Sequence, residues 1–114
     1  MLPKQHRLSG HRIPSLLRSG TRTTGKYATL IVHPAHDASA LLHVSVIVPI
    51  RLSKKAVERN RTRRLLREVV HQHLPQLSGG FEMIVMAKKI LKEEKLVDIV
   101  PDVTRSLHNA RLLP

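Results

Sequence analysis

Apolar and polar positions along the 114-residue chain change their period several times. Residues 26–33 (Lys-Tyr-Ala-Thr-Leu-Ile-Val-His) are β-branched and apolar and predict a strand. Pro34 to Ser39 reads as a turn or loop. In residues 41–48, His43 and Ser45 alternate with Leu42, Val44 and Val46. That is the period of a second strand with one polar face, ended or placed at an edge by Pro49. The period then lengthens. On a wheel of about 100° per residue, Leu65, Leu66, Val69 and Val70 share an arc of about 140°, with Thr62 and His73 inside it. This predicts a long helix over residues 54–73, with Ser53 as its N-cap and its apolar arc packed on the sheet. Pro75 and Gly79-Gly80 follow. Residues 81–87 predict a third strand, closed by Lys88-Lys89. Residues 92–110 predict a last helix with Leu96, Val97, Val100, Val103 and Leu107 on one side, kinked or restarted at Pro101. Ahead of all these, Ile13 to Leu17 predicts a short first helix with Pro14 in its first turn, bounded by Ser9-Gly10 and Gly20. Residues 1–12 read as a flexible basic arm. The order predicts an α/β (α+β) two-layer sandwich in one domain spanning residues 1–114.

Charge changes this picture from a fold to a partner. The chain carries a net charge of +12. Residues 1–67 hold 14 of the 20 Lys and Arg residues against two acids, Asp37 and Glu58, whereas six bases meet six acids in residues 68–114. A uniform solubilising charge would not be segregated in this way. The densest stretch is 51–67, with Arg51, Lys54, Lys55, Arg59, Arg61, Arg63, Arg64 and Arg67 against Glu58 alone. So many like charges call for a polyanion, nucleic acid first and an anionic membrane surface second. The membrane reading lacks a Phe or Trp anchor on the apolar arc. With no Cys in the chain, disulfides, thiolate metal sites and cysteine nucleophiles are excluded. No apolar run approaches the roughly 20 residues of a membrane span, and a cytoplasmic location is expected.

On the wheel, Asn60, Arg61, Arg63, Arg64, Arg67 and His71 lie opposite the apolar arc. Arg59 lands beside that arc, where it either snorkels out or lines a junction between helix and sheet. Guanidiniums at this spacing suit phosphate oxygens, which arginine grips with two donors at once. Asn60 adds both a donor and an acceptor. A chain with one Phe and one Tyr does not offer a sheet that stacks bases. The eight histidines include the pairs His33/His36 and His71/His73. Without Cys they suggest pH-dependent positive charge more than a protein-held metal. Glu93, Glu94, Asp98 and Asp102 read as a solvated helix face and not as a nuclease centre.

The run from Ala56 to Glu68, with Arg59-Asn60-Arg61, then Arg63-Arg64 and Arg67, resembles the signature of the protein subunit of bacterial ribonuclease P. Phe81 to Lys89, Arg7-Leu8 and the placing of Gly20 extend the resemblance over most of the chain. It implies a small mixed sheet of about four strands, with the central helix in a left-handed crossover between parallel strands. It implies binding to the catalytic RNA of ribonuclease P and to the 5′ leader of precursor tRNA. Cleavage would belong to that RNA with Mg²⁺, so no catalytic residue is expected in this chain. The matching RNA-binding residues are Arg59, Asn60, Arg61, Arg63, Arg64 and Arg67, with Arg51, Lys54 and Lys55 near the family's basic doublet. The family holds the leader in a cleft between the first helix and the sheet, usually lined by aromatics. Ile13, Leu17 and Ile31 stand at such places here, with Tyr27 as the one ring. Stacking is worth about 1–3 kcal/mol per base, so this chain is expected to grip the leader more weakly, or through Tyr27 alone. The competing reading is a small structural nucleic-acid-binding protein of ribosomal type with no role in catalysis.

Overall fold

The computed structural model describes residues 2–36 and 41–114, so Asp37 and Ser39 of the expected loop lie outside the described residues. Chain order is α1 (Ile13–Ser19), β1 (Thr21–Thr24), β2 (Ala28–Pro34), β3 (His43–Ile47), α2 (Ala56–His73), β4 (Phe81–Ala87) and α3 (Leu96–Asn109). The sheet runs β1-β2-β4-β3. β2 is antiparallel to both β1 and β4, and β3 is parallel to β4. Parallel neighbours need a crossover, and α2 is that connection. The expected α+β fold with a four-strand mixed sheet is borne out.

Side chains alternate across the sheet and build two cores. Leu30 and Val32 of β2, with Met83 and Val85 of β4, join Leu66, Val69 and Val70 of α2 and Ile99, Val103 and Leu107 of α3. Ile31 and Ile84 point the other way and meet Leu16 of α1 and Leu8. The short first helix thus covers one face, and the two long helices cover the other. Gly20 makes the first approach possible: a Cβ there would collide with Ile31 Cγ2 and stand 2.7 Å from the Leu16 carbonyl oxygen.

Several boundaries differ from expectation, each for a physical reason. β1 (Thr-Arg-Thr-Thr) was not expected as a strand, because it carries no apolar residue. Its register with β2, Thr21 opposite Val32 through Thr24 opposite Thr29, makes it a polar edge strand. α2 begins at Ala56 with Lys55 as N-cap, and Ser53 is not the cap. The Ser53 hydroxyl accepts the Lys55 N–H at 3.0 Å and donates to Glu58 Oε1 at 2.6 Å, bracing the turn before the helix. α3 starts at Leu96, and Pro101 lies inside it without ending it. Val97, expected on the buried side, is 75 % exposed. The segment expected as an arm runs against β3: Leu2 and Leu8 are buried, Leu8 N–H donates to the Val44 carbonyl, and His6 Nδ1 lies 2.8 Å from the Leu42 carbonyl. Among the described residues, no helix is long and apolar enough to cross a membrane.

Candidate nucleic-acid interface

α2 holds its apolar arc as expected: Thr62, Leu66, Val69 and Val70 are buried. Buried aliphatic side chains of this kind contribute roughly 1.5–3 kcal/mol each, which fixes the rotation of the helix. The opposite face is therefore set in space without needing any contact of its own.

The basic residues along α2 divide into two groups. Arg59 and Arg61 are turned back onto the protein. Arg59 Nη1 donates to the Ser53 carbonyl at 2.8 Å, so this side chain lines the junction before the helix. Arg61 was expected on the outer side. Instead its guanidinium donates to the backbone carbonyls of Leu91 and Glu94, in the loop after β4. The wheel could not show this, because the loop that captures Arg61 is 30 residues away in sequence.

The second group stays outward. Asn60 and Arg64 are exposed, and Arg63 and Arg67 are half-buried. Arg63 Nη1 donates to Asn60 Oδ1 at 2.7 Å, which orients both groups. With Arg64, Arg67 and Glu68 they line a depression of about 320 Å³. Arg67 also reaches a second cleft, of about 370 Å³, where it meets Arg7 beside Leu2, Leu8, Val44 and Val46. Burial first, then the charges of Arg63 and Arg7, push the Arg67 guanidinium below its ordinary value. Among the described residues, no ion pair joins Arg7, Arg63, Arg64 or Arg67 to an acid. A polyanion laid here would relieve that mutual repulsion. Arg51, Lys54 and Lys55 are exposed just ahead of α2 and extend the charge. Sequence reading missed Arg7 because it sat in a presumed arm. The Arg7–Val44 bridge to the edge of β3 places it here.

On the other face of the sheet the structure brings Ile13, Leu17 and Ile31 together. Ile31 is fully buried, and Ile13, Leu17, Ile47 and Met86 are partly buried around it. Tyr27 does not join them. It lies in the bend before β2, where strand alternation has not begun, and its ring is buried in the α2–α3 core. Its N–H donates to Asp102 Oδ2 at 3.2 Å, and Lys26 Nζ and Lys89 Nζ stand 5.3 and 5.9 Å from the ring centroid. The expected role of Tyr27 as the stacking ring of that cleft is therefore not compatible with its position.

The acids have other work. Arg12 grips Glu82 with Nε and Nη2, at 3.0 and 2.7 Å, and holds its carboxyl below the usual range. Asp102, expected on a solvated face, is buried. Burial alone pushes it up, but the N–H groups of Lys26 and Tyr27 and the Arg105 guanidinium outweigh that and leave it lowered. Lys89, chiefly, holds Glu94 down to about 2. Each of these three carboxylates is committed to a cation or to backbone N–H groups, and among the described residues no cluster of three or more acids and histidines is placed to hold a metal ion.

The family model described as "Ribonuclease P" matches residues 2–111. The ribonuclease P protein component of Synechococcus sp. (strain JA-2-3B'a(2-13)) is 34 % identical, over 99 % of this chain and 87 % of its own length. A Staphylococcus aureus RNase P protein mutant shares the fold with a TM-score of 0.83 at 18 % identity, over 96 % of this chain and 92 % of that one. The RNase P protein from Thermotoga maritima gives 0.78 at 18 %, over 90 % and 96 %. With its signature helix, its crossover between parallel strands and this match along almost its whole length, the chain belongs to the ribonuclease P protein family, whose members are components of an endoribonuclease that processes precursor tRNA.

Proposed function

We propose that this chain binds the catalytic RNA of ribonuclease P through the outer face of α2 and assists that RNA in removing the 5′ leader of precursor tRNA. The observation that carries the reading is the set Asn60, Arg63, Arg64 and Arg67, continuous with Arg7 and free of ion pairs among the described residues. Arg51, Lys54 and Lys55 add exposed charge at the same end. Arg59 and Arg61 belong to the interface as its support. The hydrolysis would belong to the RNA, whose bound Mg²⁺ would supply the activation of water there. Among the described residues the acids form no site for that ion, and no catalytic residue is assigned to this chain. The guanidiniums lower the repulsion between RNA phosphates as the holoenzyme and substrate come together. Less Mg²⁺ is then needed for the same assembly. The leader lies over Ile13, Leu17 and the partly exposed Ile47 and Met86. No aromatic side chain stands among these four, so the grip is weaker than stacking would give. The working place is the cytoplasm.

The test is cleavage of precursor tRNA by a bacterial ribonuclease P RNA at low Mg²⁺, with and without the protein. Correct 5′ ends should rise strongly with the protein and fall back with Arg63→Ala/Arg64→Ala. No gain, together with equal binding to unrelated RNAs at matched salt, would leave only a structural nucleic-acid-binding protein.

A further inference from the structure

The loop between β4 and α3, residues 88–95, carries Lys88, Lys89, Lys92 and Lys95. It has no regular secondary structure, yet it is fastened to α2 at one peptide unit after another. Leu91 is buried, and both of its backbone polar groups are taken by adjacent residues of α2. Thr62 Oγ1, fully buried, accepts the Leu91 N–H at 3.0 Å, and Arg61 donates to the Leu91 carbonyl. The same guanidinium reaches the Glu94 carbonyl at 3.3 Å. One turn earlier on α2, Glu58 Oε2 stands 3.6 Å from Lys92 Nζ. Within the loop, Glu94 accepts the N–H groups of Lys92 and Glu93 and pairs with Lys89 at 3.0 Å. Lys88 Nζ ties the other end to the Gly25 carbonyl at 2.8 Å.

We infer that Arg61 is a positioning residue. It does not meet RNA phosphate; it clamps the loop 88–95, with its four lysines, onto the flank of α2 that also carries Glu58 and Thr62. Two features of the geometry favour this over a direct contact. The two Nη groups of one planar fork hold both carbonyls in a fixed geometry that a single freely rotating ammonium nitrogen does not reproduce. A guanidinium donating to buried or half-buried carbonyls has fewer donors left for a phosphate. The signature Arg59-Asn60-Arg61 then has two supports flanking one contact. Arg59 braces the turn before α2, Arg61 braces the loop after β4, and Asn60 faces outward with Arg63.

This inference rests on the RNA-binding reading above, so the test has one arm that needs no RNA. In the free protein, hydrogen exchange of the amides in residues 88–95 is compared for wild type, Arg61→Lys and Thr62→Val. Arg61→Lys keeps the charge and loses the fork. Thr62→Val removes the neighbouring clamp without touching any charge. Both should lose protection in the loop by about tenfold or more, with protection of β4 retained. Affinity for a bacterial ribonuclease P RNA should then fall by about three- to tenfold in both variants. In a Lys92→Ala background, adding Arg61→Lys should cost much less than it does alone. Unchanged loop protection in Arg61→Lys overturns the clamp. Wild-type affinity in Arg61→Lys despite a loosened loop overturns the link to RNA and returns Arg61 to service as a charge. Failure of the wild type to distinguish ribonuclease P RNA from an unrelated RNA would sink the functional reading, and the exchange result would still decide the clamp.

Discussion

The first turns of α2 and the turns that follow use the same residue type for opposite purposes. Arg59 and Arg61 donate to backbone carbonyls of their own chain, whereas Arg63, Arg64 and Arg67 meet no carboxylate among the described residues. A guanidinium satisfied by carbonyls holds loops in place and has little left for a ligand. One held beside like charges is poised to accept a phosphate. Counting arginines on a helical wheel treats these as equal, and they are not. The distinction depends on whether a loop passes within reach, which is a property of the packed molecule.

Removing the outward group should have the largest effect. The triple change Arg63→Ala/Arg64→Ala/Arg67→Ala is expected to weaken RNA binding by about 4 kcal/mol or more, near a thousandfold. The dependence of log affinity on log salt should fall by about 2–3. Its melting temperature should hold or rise, because mutual repulsion is relieved. An unchanged salt slope would show that these side chains meet no phosphate. Leu66→Ala, on the buried face of the same helix, should do the reverse. It is expected to cost about 2–5 kcal/mol of stability while the folded fraction binds RNA normally, which a melt followed by titration would check.

Acid should loosen the supporting group before the outward one. Glu94 sits at about 2 in the folded chain against an ordinary 4.5, chiefly through Lys89. The unfolded chain therefore takes up this proton at higher pH than the folded one. The stabilisation is complete above about pH 4.5 and is lost as pH falls toward 2. Glu82 and Asp102 are lowered too and add in the same direction. Glu94→Gln should flatten the acid limb of a plot of melting temperature against pH, and an unaltered limb would contradict the assignment. The smallest effect is expected at Tyr27. With Tyr27 7 % exposed in the α2–α3 core, Tyr27→Phe should change stability by about 0.5 kcal/mol or less. Leader-length dependence of substrate affinity should stay as it was, and its loss without a change in melting temperature would place the Tyr27 hydroxyl at the RNA surface.

β4, the apolar arc of α2 and the segregation of charge were legible along the chain, because each is written in a local period or in a count. A strand buried on both faces and a helix with one apolar stripe leave that imprint whatever surrounds them. The signature around Asn60 was legible for the same reason, since six of its positions lie on one helix. Which of those positions face out came from packing. β1 has no apolar period, since a polar edge strand is held by its ladder with β2 and not by burial. Tyr27 was matched to the leader cleft as the one ring on offer, and the bend before β2 turns it into the α2–α3 core instead. Arg7 joined Arg67 only when the first residues packed along β3, and Arg61 left the outer face only when the loop after β4 came within reach. Contacts between segments distant in the chain have no period to read, and they decided here which charges are support and which are surface.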